Sequence, residues 1–288
     1  MKSKRQVAVE QLEAVITALR CPICQSALEV TETGATCPHR HTIDVAKQGY
    51  LHLAGTVTKS RYTKELFIAR QTLLKETKFF EPLIDEIVKW IREEVTEPSL
   101  RIVDMGCGEG THLSGIVRQL PGSHGIGIDL AKDGVQLATN HGADVLWLVA
   151  DLAKSPLQDH SIDIVLNILS PANHTEFRRV LTPSGYVIKV IPNARYLQEL
   201  RSFFYAGTEK ETFENEEAGE RFASELEVVG ISQVTYTKNL TEKQWRDLIA
   251  MTPLTWNAPA DQVDAFIERG ESEVTIDLTV LIGRVKEK

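Results

Sequence analysis

The sequence predicts an α/β protein: a parallel sheet of seven strands with helices on both faces, preceded by a small cysteine-rich module. Three observations carry this. From residue 100 onward, short apolar segments alternate with helical ones, the rhythm of strands joined by covering helices. The first of these strands, LRIVDM, runs straight into a glycine turn, GCGEG. And three of the four cysteines lie within CPICQSALEVTETGATCPHRH, residues 21–41, a stretch with no hydrophobic period that could build a core.

The chain has 288 residues, enough for one large domain and a small one. Residues 1–20 predict an amphipathic helix with Val7, Leu12, Val15, Ile16 and Leu19 along one side. Glu10 and Glu13 interrupt any signal-like apolar run. No segment reaches the roughly 18 apolar residues of a membrane span. The expected location is therefore the cytoplasm, with no membrane partner.

Net charge is −8, which weighs against a general nucleic-acid binder, but the charge is split along the chain. Residues 1–80 hold 12 Lys/Arg against 7 Asp/Glu, and the remainder 20 against 33. A basic head on an acidic body would offer a polyanion one face only.

In the cysteine stretch, Cys21 and Cys24 are spaced as in a metal-binding turn, and Cys37 and His41 follow as C-x3-H. Four nitrogen and sulfur ligands in this order fit a closed tetrahedral zinc site. His39 is a rival fourth ligand, but one intervening residue gives it an awkward reach from Cys37. With four protein ligands no coordination position stays open, so the zinc is structural. This module is expected over residues 21–56.

Residues 57–98 predict a helical linker of two segments, with Pro82 in the first turn of the second. The body, residues 99–288, then predicts in order the strand LRIVDM, a helix from Thr111 to Leu120, the strand HGIGID, a helix from Ala131 to His141, and the strand VLWLVA. After these come SIDIVLNIL, a short helix from Glu176 to Leu181, and GYVIKVI. The tail adds ISQVTYTKN, the helix TEKQWRDLIAM and VTIDLTVLIGRV, a closing strand pair; the acidic run EKETFENEEAGE reads as a solvated loop.

Gly106, Gly108 and Gly110 alternate after the first strand, and a helix follows them. A dinucleotide fingerprint, G-x-G-x-x-G, would need glycine where Thr111 stands. Asp129 ends the second strand, where a carboxylate can accept both hydroxyls of an adenosine ribose. Asp104, two residues ahead of the loop, suits a cationic ligand. VDMGCGEG thus resembles motif I of the seven-strand, Rossmann-like class I methyltransferases, which bind S-adenosylmethionine. That resemblance implies cofactor contacts from Cys107 and Glu109 within the loop, Leu130 beside Asp129, and Asp151 with Leu152 near the adenine. It also places Asn167, in NILSP, at the motif bordering the reacting methyl. The Cys107 side chain itself reads as packing.

CPIC, CPHRH and DVAKQGY, followed by FFEPL, DMGCGEG, GIDLAK, RRVLTPSGYVI, YLQEL and MTPLTW, resemble one family across nearly the whole chain from Cys21. It is the zinc-containing methyltransferases that modify N1 of a guanine in large-subunit ribosomal RNA. The resemblance implies a 23S rRNA hairpin as partner, S-adenosylmethionine and structural Zn2+ as cofactors, allows a homodimer, and makes residues 1–20 an N-terminal helical extension, since the family usually starts close to its first cysteine. Phe80 and Tyr196 occupy positions that border the cofactor in the family, which often carries tyrosine and histidine there. For RNA contact the reading names Arg40, Lys59, Arg61, Tyr62, Lys64 and Arg70, five cations and one stacking ring. No catalytic base is named. The competing reading is a methyltransferase for a small molecule, with the zinc module only bracing the fold.

Overall fold

A computed structural model describes residues 2–55, 62–142, 144–208, 211 and 216–286. The chain opens with α1 (Lys4–Val15), whose N-terminus is closed by a capping box between Ser3 and Gln6. The head follows as a three-stranded antiparallel sheet, β1 (Glu29–Thr31), β2 (Gly34–Thr36) and β3 (Thr42–Asp44), and then β4 (Leu51–His52). Two helices come next, α2 (Lys64–Thr77) and α3 (Glu81–Glu94), with Pro82 in the first turn of α3 as expected.

The body runs β5 (Arg101–Met105), α4 (Thr111–Gln119), β6 (His124–Asp129), α5 (Lys132–Ala138), β7 (Val145–Val149), β8 (Ile162–Ile168), α6 (His174–Val180) and β9 (Leu181–Pro192). It ends with α7 (Gln198–Phe204), α8 (Glu216–Glu225), β10 (Glu227–Asn239), α9 (Glu242–Met251), α10 (Ala260–Glu268) and β11 (Glu273–Arg284). Part of the acidic run read as a loop is thus the start of α8, which buries Phe222 beneath its charged face.

The main sheet has the order β10-β11-β9-β8-β5-β6-β7-β4, and only β11 runs against its neighbours. Seven of these strands are the expected ones. The eighth, β4, is contributed by the head: Leu51 and His52 pair in parallel with Leu148 and Val149 at the end of β7. A two-residue strand carries no period that sequence could register.

Strand alternation splits the core in two. One face packs Ile102, Ile164, Ile188 and Val190 beneath α2 to α5, α7, α9 and α10, with Trp245 of α9 and Phe266 of α10 among its buried rings. The other buries Val103, Ile126, Ile128, Leu146 and Leu148. After β7 the chain makes only a single 3-10 turn, Leu152–Lys154, and α1 packs over β6 and β7 on this second face. Ala8, Leu12 and Val15 point inward, whereas Val7, expected on the buried side, is 37% exposed. Residues 18–20 continue the attachment: Leu19 bridges Leu157, and the Arg20 amide donates to the Pro156 carbonyl at 2.8 Å. The N-terminal segment, read as an extension, is therefore an integral part of the sheet's cover.

Candidate cofactor pocket and zinc centre

Two tight turns shape the head's cluster. Gln25 and Arg40, both at φ 62°, end turns in which Gln25 N–H donates to the Cys21 carbonyl and Arg40 N–H to the Cys37 carbonyl, each at 2.8 Å. The ligand atoms of Cys21, Cys24, Cys37 and His41 lie within 4.8 Å of one another. Cys24 and Cys37 Sγ are 3.6 Å apart, and His41 Nδ1 is 3.5 Å from Cys21 Sγ and 3.4 Å from Cys37 Sγ. A disulfide needs about 2.05 Å. The edges of a tetrahedron with metal–sulfur and metal–nitrogen bonds of about 2.3 and 2.0 Å are about 3.5–3.8 Å. The donor set and its spacing fit Zn2+. His39 is exposed and lies outside the cluster. The Cys24 thiol is pulled down to about 6 by the hydrogen bonds from Ser26, and burial raises that of Cys21.

The glycine loop lies at the C-terminal end of β5. Gly106 has φ 103°, and a β-carbon there would overlap Ser170 Oγ. Gly110 has φ 83°, and a β-carbon would strike the ring of Trp147. Neither position tolerates a side chain, for conformational and steric reasons together. Asp129, at the end of β6, accepts from Gly108 N–H at 2.9 Å and Ala131 N–H at 2.8 Å, so the acid and the loop are locked together. Burial raises its carboxyl against those bonds.

Behind the loop stands a dense set of charges. Asp104 and Glu109 are each 1% exposed. Arg70, from α2, donates Nε–H to Glu109 Oε2 at 2.8 Å and lies 6.0 Å from the centre of the Phe80 ring. Tyr196 is close enough to Arg70 for their charges to interact, and burial lifts its phenol to about 12. Asp104 Oδ1 and Glu109 Oε1 are buried without a hydrogen-bond partner, and so is His112 Nε2. Burial, then the charges of Asp129 and Glu109, push the Asp104 carboxyl up to about 8. Burial is also the largest influence on Glu109 and raises it, but the charges of Arg70 and His112 together with hydrogen bonds from Thr111 and its own backbone outweigh burial and hold that carboxyl below its usual range. Three carboxyl groups and one guanidinium, with two acceptor atoms unsatisfied, suit a ligand that brings positive charge and N–H donors. The amino-acid end of S-adenosylmethionine has both.

Arg70, expected at the RNA surface, instead sits against the glycine loop and pairs with Glu109: the helical phase of α2 turns it inward. The Asn167 side chain is likewise not directed at the pocket. It is fully buried on the face shared with Val165, donating to the Met105 carbonyl at 3.2 Å and the Pro171 carbonyl at 3.1 Å. Cys107 is buried, and burial raises its thiol far above the ordinary value, consistent with packing. Leu130 is 39% exposed and Asp151 is exposed at the end of β7, where its carboxylate accepts from Ala153 N–H at 2.9 Å; Leu152 begins the short turn that follows.

Of the remaining RNA candidates, Arg40 and Lys64 are exposed. Lys59 and Arg61 lie outside the described residues. Tyr62 stacks on Phe67 with ring centres 6.0 Å apart and meets the edge of Trp256 at 5.1 Å. Phe67 in turn packs against Gly108 and Gly134. Trp256 ends the segment MTPLTW, and no local signal in sequence ties residue 256 to residue 62.

Comparison with known proteins agrees with this geometry. Residues 19–60 match the family model described as "RlmA, N-terminal", and residues 102–185 match a "Methyltransferase domain" model. The chain is 38% identical over 270 residues to the Bacillus subtilis protein named "Putative 23S rRNA (guanine-N(1)-)-methyltransferase YxjB", covering 92% of this chain and 96% of that one. It is 28% identical over 274 residues to the 23S rRNA (guanine(748)-N(1))-methyltransferase of Streptomyces fradiae, covering 94% and 98%. Among solved structures, phosphoethanolamine N-methyltransferase 2 of Haemonchus contortus, in complex with S-adenosyl-L-methionine, shares the fold at a TM-score of 0.50 and 16% identity, over 81% of this chain and 61% of that one. A ribbon with a Cys3His cluster, joined through β4 to a class I methyltransferase sheet, places the chain: it belongs to the RlmA-type family of zinc-ribbon 23S rRNA (guanine-N1)-methyltransferases.

Proposed function

We propose that this chain methylates N1 of a guanine in a hairpin loop of 23S rRNA, with the head (residues 21–56) holding the RNA and the body (99–288) performing the transfer. The observation that carries the reading is the physical join between the two. β4 leaves the head and pairs with the strand end that presents Asp151, and the buried Tyr50 packs into the core beneath α2 to α5. Its hydroxyl accepts from Gln136 of α5 at 3.4 Å. RNA held by the head thus lies beside the cofactor edge of the sheet.

S-adenosylmethionine would supply a sulfonium methyl group for in-line displacement by guanine N1, the S–CH3 bond breaking to release S-adenosylhomocysteine and the N1 proton passing to water. The chain's own residues hold and align. Asp104 and Glu109 take the ammonium, Arg70 the carboxylate, and Asp129 the ribose; Phe80 and Tyr196 close the methionine end. Cys21, Cys24, Cys37 and His41 hold the zinc, which contributes about 10–16 kcal/mol of apparent folding free energy to a head with little core. Arg40 and Lys64 neutralise phosphates, with Lys59 and Arg61 proposed alongside them, and the exposed ring of Tyr62, buttressed by Trp256, receives a base drawn out of its stack. Alignment of two bound reactants can supply about 7–11 kcal/mol of the barrier.

The test is transfer of labelled methyl to 23S rRNA, mapped by mass spectrometry. One N1-methylguanine within a hairpin loop is expected. A methylated small molecule with untouched rRNA would favour the competing reading.

A further inference from the structure

We propose that Lys189 is a positioning residue for the transfer step: from β9 it clamps the turn Leu169–Ser170 against the glycine loop. The inference rests on the rRNA methyltransferase reading above. Lys189 is 6% exposed, the only buried lysine among the described residues. Its stem lies on the same face as Val187 and Ile191, and no carboxylate forms an ion pair with it among the described residues. Instead Nζ donates to Asn167 Oδ1 at 2.7 Å and to the Ser170 carbonyl at 3.2 Å. Asn167 passes the restraint on, through its bonds to Met105 at the end of β5 and Pro171 beyond the turn.

The turn needs such a restraint. Leu169 sits at φ 52°, a left-handed conformation that leucine rarely adopts. The next residue, Ser170, fills the space that the missing β-carbon of Gly106 leaves open. The turn is therefore strained and fitted against the loop that carries the cofactor. A buried ammonium facing only neutral acceptors weakens a fold. Both of its hydrogen bonds serve this turn, directly or through Asn167. Stability does not account for this lysine; placement of the turn does.

The test uses the full zinc-loaded chain, labelled S-adenosylmethionine and the rRNA hairpin. Lys189→Met keeps the length and removes the buried charge, so the chain is expected to fold with an unchanged or higher Tm. The single-turnover rate is expected to fall about 30-fold or more, with KM for both substrates within about threefold of wild type. Adding Leu169→Gly, which suits a left-handed turn, is expected to restore the rate at least about fivefold. A Lys189→Met rate within threefold of wild type overturns the inference. So does an effect on KM alone, loss of folding, or a double variant no faster than the single one. A wild-type chain inactive on every segment of 23S rRNA would overturn the underlying reading, and the inference with it. An active wild type beside an equally active Lys189→Met chain overturns the inference alone.

Discussion

Arg70 and Glu109 face each other at 2.8 Å and join the linker helix to the glycine loop. Glu109 is 1% exposed and Arg70 is 21% exposed in its side chain, so the pair is largely shielded from solvent. It is also the only ion pair among the described residues that reaches the three-carboxyl cluster. Arg70→Ala leaves Glu109 buried and unpaired beside Asp104 and is expected to cost about 3–5 kcal/mol at pH 7. Glu109 is held below its usual range, so this stabilisation is present above the ordinary glutamate value near 4.5 and is lost as pH falls through the lower folded one. Denaturant unfolding at pH 7 and pH 3 reads both, with the gap between wild type and variant narrowing in acid. A variant that weakened RNA binding and left cofactor affinity intact would return Arg70 to the RNA surface.

Asp104 predicts a pH dependence of the opposite sense. Its folded value of about 8 lies above the ordinary 3.8, so the ligand-free protein holds this proton across the interval between. Stability of the free chain is expected to fall over that window as pH rises. A cationic ligand favours the ionised form and expels the proton. Affinity for S-adenosylmethionine should therefore climb from pH 6, by up to about tenfold per unit, and level off above about 8. Calorimetry in buffers of different ionisation enthalpy measures the released proton, and Asp104→Asn should release none from this position.

Cys24→Ser, or a strong chelator, should release the zinc and unfold the head, because its three short strands bury little of their own. RNA methylation is expected to vanish while cofactor affinity stays within about threefold of wild type. Metal analysis and cofactor titration read the two effects separately; equal loss of both would make the head a brace for the body.

Leu12 is completely buried in the second core face. Leu12→Ala is expected to cost about 2–5 kcal/mol in denaturant unfolding, as for any large core truncation. A cost below about 0.5 kcal/mol would show α1 to be an appendage.

The order of strands and helices was legible because each carries its own period, and the zinc ligands because their spacing is local. Arg70 looks like a surface charge in sequence because it follows the basic stretch of Lys59, Arg61 and Lys64 and the exposed Ile68; only the phase of α2 against the loop turns it inward. β4 is too short to show alternation, and α8 hides its one large buried ring, Phe222, in an acidic segment. On α1 it is Ala8 and not Val7 that faces inward; in sequence an apolar residue at a helix edge looks the same as one at its centre. Trp256 and Lys189 depend on contacts across long stretches of chain, where no local pattern exists to read.

Because α1 covers β6 and β7, this helix has no seat until synthesis has passed Val149. The head can gather its metal early from contacts within a few dozen residues, whereas the helix just before it must wait beside the growing chain with Leu12 and Val15 uncovered. Its docking then closes the sheet's second face and tethers the ribbon in one event, so a half-made chain would carry a finished metal-clamped head and no stable place to put it.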